Sequence, residues 1–131
     1  MQGGIKLRKI VYPELSYEIV KTLFQVHNGL GYGYQEKYYQ KALEVAFIKN
    51  NIKFNSQCPY RIRFKGEIVG RYYIDFVIEN KIVLEIKKGN YYAKSNFDQV
   101  YGYLRVTGLK LGILANFTRE GVKYKRVLNI K

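Results

Sequence analysis

The sequence predicts one α/β (α+β) domain, residues 1–131, with a mixed central β-sheet flanked by helices in the order α-α-β-β-β-α-β-β. Three observations predict it. Apolar residues recur at three- and four-residue steps early in the chain, alternate through the middle, and return to helical spacing near residue 100. The length of 131 residues suits a single compact domain. At 47% hydrophobic and 16% aromatic, the chain can bury a core without disulfide staples and is not a disordered tail.

The first helix is expected from Glu14 to Leu30, because Ile19, Leu23, Val26 and Leu30 share one face. Gly29-Leu30-Gly31-Tyr32-Gly33 ends it. This stretch lacks the Gly-Lys-Ser/Thr ending of a phosphate-cradling loop and follows a helix, so it reads as an interhelical turn. A second helix is expected from Gln35 to Asn50, with Tyr39, Leu43, Ala46 and Phe47 on one side. Tyr60, Ile62 and Phe64 then alternate with Arg61, Arg63 and Lys65, a half-exposed strand with a basic outer row. After a turn at Lys65-Gly66, strand is expected over Glu67–Val69 and Arg71–Ile78. Glu79-Asn80 turns the chain into a strand from Lys81 to Lys87, so these neighbours should pair antiparallel. Ser95 is the expected cap of a third helix with Asp98 at its third position, and Gly108 ends it. Leu109–Asn116 reads as a buried strand and Val122–Ile130 as the last. A crossover through the third helix makes Lys81–Lys87 and Leu109–Asn116 parallel if both lie in one sheet.

Charge narrows the function classes. Lys and Arg total 23 against 10 Asp and Glu, a net charge of +13. Each cation set on a phosphate releases a condensed counterion, so this excess favours nucleic acid as partner. Fourteen tyrosines add stacking capacity, though most tyrosines in a small domain simply pack. No basic amphipathic helix with an insertable face is evident and no segment is long enough to span a bilayer, so no membrane partner is expected. Met1 to Ile10 lacks the apolar run of a signal peptide. Cys58 is the one cysteine, which excludes an intramolecular disulfide and suits a reducing, cytoplasmic setting.

With so few acids, a carboxylate inside an apolar strand needs a reason. Asp75 lies in Tyr72-Tyr73-Ile74-Asp75-Phe76-Val77-Ile78, and Glu85 and Lys87 lie in Ile82-Val83-Leu84-Glu85-Ile86-Lys87. Strand side chains alternate, so Glu85 and Lys87 share a face. Folding at Glu79-Asn80 can bring Asp75 beside Glu85. Burying unpaired charges is expensive, and two like charges brought together resist ionising. A hard divalent cation, magnesium or manganese, resolves both problems with oxygen ligands. Such an ion activates water and stabilises a pentacovalent phosphate, and a neighbouring lysine can orient the water or offset developing charge. The same three residues also suit surface ion pairs on an edge strand.

Asp75 followed by Glu85-Ile86-Lys87 resembles the signature of the PD-(D/E)XK nuclease superfamily, with Ile74 where the name motif has proline. The likeness is closer to its GxxExxY family. That motif reads Gly33-Tyr34-Gln35-Glu36-Lys37-Tyr38-Tyr39, followed by Ala42-Leu43. Val26-His27 and Gly31-Tyr32-Gly33 match the segment before it, with Tyr32 replacing the usual proline. Gln99 and Tyr103-Leu104 match the helical QxxxY element, and Gly108 to Phe117 match the closing strand. The resemblance implies a restriction-endonuclease-like fold and a magnesium- or manganese-dependent nuclease of nucleic acid, with DNA expected ahead of RNA as its substrate class. It implies Asp75, Glu85 and the Ile86 carbonyl as metal ligands, Lys87 as the catalytic lysine and Glu36 as an extra acid near the metal. It implies Gln99 directed at the metal water or a phosphate, with Tyr103 in support.

Each of these has a plainer reading. Glu36 suits the first turn of a helix through the dipole, Gln99 a solvated face, and Tyr39 a core position that fixes the second helix. Tyr103 suits packing as well as site support. Lys88 can touch phosphate or only water, and His27 reads as structural. The rival function is a nuclease fold that binds nucleic acid without cutting it. A homodimer would suit cleavage of both strands or of a junction.

Overall fold

The computed structural model describes residues 11–129. The leader expectation for Met1–Ile10 and the last residue of the expected final strand, Ile130, lie outside the described residues. Among the described residues the order is α1 (Pro13–Leu30), α2 (Glu36–Lys49), β1 (Phe54–Phe64), β2 (Glu67–Ile78), β3 (Ile82–Lys88), α3 (Lys94–Thr107), β4 (Leu111–Phe117) and β5 (Val122–Leu128). The five strands form one sheet ordered β1-β2-β3-β4-β5. β3 and β4 pair in parallel across α3, as the crossover predicts, and the other neighbours are antiparallel.

The sheet lies between two apolar layers. Ile19, Leu23 and Val26 of α1 and Tyr39, Leu43 and Phe47 of α2 pack against Phe76, Ile82, Leu84, Ile86, Ile113 and Phe117. On the other face, Val100, Tyr103 and Leu104 of α3 pack against Ile74, Val77, Val83 and Leu114. Gly112 permits this second layer to sit close, because a Cβ there would lie 2.6 Å from Val100 Cγ1.

Three local expectations are corrected. β1 begins at Phe54, six residues before Tyr60. Its early part contains Pro59, which an edge strand tolerates because its missing N–H can face away from the ladder. Ser95 does not cap α3. The helix starts at Lys94 with Ala93 as the N-cap residue and no side-chain cap, and Asp98 accepts from Lys94 Nζ at 3.1 Å instead. Gly70 does not divide β2. It lies opposite Ile62 beside a bulge, where a Cβ would meet Ile62 Cδ1 at 3.3 Å.

The strand alternation breaks once, at Asp75. Ile74 packs with the α3 layer, yet Phe76 and Ile78 pack with the α1–α2 layer. On β1, Phe54 and Cys58 separate the same way. The break falls where Gln57 would face Asp75: Gln57 has a φ of 50°, and the paired register skips these two residues.

Candidate active site

The site forms where the β2–β3 ladder stops. Backbone pairing runs from Ile78↔Ile82 to Phe76↔Leu84 and goes no further. The next two residues, Asp75 and Glu85, replace the missing rungs with side chains. The Ile86 N–H donates to Asp75 Oδ2 at 2.8 Å, and the Asp75 N–H donates to Glu85 Oε1 at 3.4 Å. The acids therefore sit between strands that have begun to separate, near enough for each to bond the other's strand.

Lys87 follows on the same face of β3, and its Nζ lies 3.4 Å from Glu85 Oε2. The Glu85 side chain is 4% exposed and that of Lys87 is 26% exposed, so the acid is interior and the amine is at the rim. Burial, then the Asp75 charge, pushes the Glu85 carboxyl up from 4.5 to about 8 against the opposing pull of Lys87. Asp75 is also raised, chiefly by burial. One lysine does not neutralise two buried acids.

The donor set suits a hard divalent cation: two carboxylates in an apolar surround, both costly to ionise without one. Asp75 and Ile86 open onto a cleft of about 380 Å³, lined also by Glu36, Lys37, Gln40 and Gln57. Among the described residues, no three His, Cys, Asp or Glu side chains group closely enough to cage a metal. Two carboxylates with water fit magnesium, which keeps several of its waters.

Glu36 lines the cleft, and its charge raises Asp75 slightly. It does not join Asp75 and Glu85 in one ligand cluster, because its Oε2 accepts the Lys88 N–H at 3.1 Å. That bond ties the start of α2 to the end of β3. Lys88 turns its amine to Tyr32, 5.7 Å from the ring centre, where Arg119 also sits at 5.6 Å. Tyr39 is fully buried, stacked on Phe117 with centroids 4.2 Å apart, and its hydroxyl donates to the Gly31 carbonyl at 2.6 Å. It anchors the interhelical turn and cannot touch a substrate. His27 donates from Nε2 to the Thr118 carbonyl at 2.6 Å, a structural role.

On α3, Tyr103 is buried and its hydroxyl donates to the Tyr73 carbonyl at 3.2 Å, bracing β2 two residues before Asp75. Burial, then the charges of Glu85 and Asp75, raises the Tyr103 hydroxyl well above its ordinary value, so it remains a donor. Gln99, one turn earlier, is half-buried and makes no side-chain hydrogen bond among the described residues. Sequence reasoning missed two residues: Gln40 donates to the Asp75 carbonyl at 3.3 Å and Gln57 to Asp75 Oδ1 at 3.4 Å. Gln40 lies one helical turn beyond Glu36, a spacing that could have flagged it. Gln57 carries no such signal, since its position depends on the β1 distortion.

A sequence model of the PD-(D/E)XK nuclease superfamily matches residues 13–127. No curated protein matches the chain. Among solved structures, the crystal structure of SSO0001 resembles it with a TM-score of 0.56 at 19% identity, covering 73% of this chain. The chain spans half the length of that protein, and at this identity the likeness concerns the fold.

Proposed function

We propose that this chain, which belongs to the PD-(D/E)XK nuclease superfamily, is a nuclease that hydrolyses phosphodiester bonds of DNA with magnesium or manganese. The observation that carries the proposal is the pairing of Asp75 and Glu85 across the opened end of the β2–β3 hairpin, with Lys87 beside them. Bound between the two carboxylates, the ion would supply Lewis acidity and a more acidic water. Asp75 and Glu85 would hold it, with the Ile86 carbonyl as a third donor. Lys87 would orient the attacking water and offset charge developing on the phosphate. Tyr103 and Gln40 position Asp75 through the β2 backbone, and Gln99 would contact a substrate phosphate. Glu36 and Lys88 would line the approach.

Within the superfamily, the chain fits the GxxExxY group. The motif residues divide the work of building the cleft. Gly33 takes a φ of 114°, Glu36 opens α2 at the cleft, and Tyr39 locks the turn from inside. Among the described residues no helix is long and apolar enough to cross a membrane. The lone Cys58 suits a cytoplasmic setting.

The test is cleavage of single-stranded, duplex and branched DNA with manganese, magnesium or EDTA. Wild type should cut only with metal, and Glu85→Ala and Lys87→Ala should each lose at least about 100-fold, the scale of removing a group that stabilises transition-state charge. Cutting by either variant at the wild-type rate would remove the catalytic assignment. A metal-insensitive, salt-sensitive gel shift without cleavage would support the binding module instead.

A further inference from the structure

The β1–β2 ribbon continues past the site as two strands. β2 pairs with β1 over nearly its whole length but with β3 only from Phe76 onward. One ribbon face is covered, where Cys58, Tyr60 and Tyr72 pack with the α3 layer. The other face is open and carries Arg61 and Arg63 on β1 and Arg71 and Tyr73 on β2, all exposed. Arg61 and Arg71 are direct cross-strand partners, so two like charges stand side by side, an arrangement that is unfavourable unless an anion lies over them. Among the described residues none of these arginines forms a salt bridge with a side-chain carboxylate. Residues 54–73 hold four cations, including Lys65, and one acid, Glu67. Tyr73 is 54% exposed, and Tyr103 fixes its backbone by a hydrogen bond to its carbonyl. It stands two residues from Asp75, about 7 Å along a strand, and Arg71 about 7 Å further.

We infer that this open face is the track for an unpaired DNA strand flanking the scissile phosphate, with a base stacked on Tyr73 and the backbone running over Arg71, Arg61 and Arg63. The inference rests on the nuclease reading and adds a substrate class: DNA with a single-stranded segment at the cut. The chemistry matches a polynucleotide with unpaired bases, because a fixed aromatic face stacks on any base and regularly spaced cations meet a regularly charged backbone. A duplex keeps its bases stacked on each other and offers Tyr73 nothing.

The test is fluorescence anisotropy in EDTA with a labelled oligodeoxythymidine of about 20 nucleotides and a duplex of equal length. The variants are Arg61→Gln/Arg71→Gln, Tyr73→Ala and, as a control on the far sheet edge, Lys123→Gln/Lys125→Gln. The arginine pair should weaken single-strand binding at least about 10-fold and flatten its salt dependence. Tyr73→Ala should weaken it at least about 5-fold while leaving duplex binding within about 2-fold. Tyr73→Phe keeps the stacking face and the backbone carbonyl that Tyr103 holds, and should restore binding. Wild-type affinity in the arginine pair, or an equal loss in the far-edge control, overturns the track. Wild-type cleavage alongside such a result would leave the nuclease reading standing. Ribbon-dependent binding without metal-dependent cleavage would do the opposite.

Discussion

Glu85 is the residue under greatest electrostatic load. Its ordinary carboxyl value is 4.5, and burial with the Asp75 charge takes it to about 8. An acid whose value rises on folding stabilises the fold below its unfolded value and loses that stability as pH climbs through the folded one. Metal-free protein should therefore lose stability between about pH 4.5 and 8, by an amount on the order of a few kcal/mol. Asp75 is shifted in the same direction and adds to the trend. Urea denaturation in EDTA across that range checks it, and Glu85→Gln should flatten the profile. A wild-type profile that stays level or rises would contradict the burial argument. Gln57 belongs to the same scale: it bonds Asp75 from a left-handed backbone conformation that non-glycine residues seldom adopt. Gln57→Gly should ease the backbone but forfeit the amide, giving unchanged or higher stability with lower activity.

At the scale of elements, the close approach of α3 to β4 depends on Gly112. A methyl there would press on Val100 Cγ1, a branched side chain with little room to yield. Gly112→Ala should cost about 1–3 kcal/mol, the range for overpacking, and Val100→Ala in the same chain should recover part of it. Chemical denaturation of the single and double variants measures both. If Gly112→Ala is neutral, the close approach is not a constraint. The helices were legible because each carries one apolar stripe, and the parallel β3–β4 pair followed from a single crossover. The β2–β3 hairpin was legible from Glu79-Asn80, and with it the meeting of Asp75 and Glu85. The start of β1 was not, because Asn55 and Pro59 disfavour strand and only pairing with β2 overrides them. The α3 cap was misplaced for a similar reason: Ser95 has the right chemistry, but helical geometry already begins at Lys94. Gln57 escaped because its role depends on the distortion of β1 that brings it to Asp75.

For the whole molecule, the net charge of +13 is a statement about partners rather than about fold. If the cations of the β1–β2 ribbon each meet one phosphate, the logarithm of the DNA association constant should fall against that of salt with a slope of about −3 for a single strand. The strand that carries Arg71 and Tyr73 also carries Asp75, and its pairing with β3 stops at Phe76 while its pairing with β1 runs on.

The central claim is that Asp75 and Glu85 hold a divalent cation at the opened end of the hairpin. Anomalous diffraction from a crystal soaked in manganese tests it most directly. A peak is expected between the two carboxylates and the Ile86 carbonyl, at about 2.0–2.2 Å from the ligating oxygens, with no peak in Asp75→Asn. Ordered Asp75 and Glu85 with no density between them, or manganese bound only elsewhere, would contradict it.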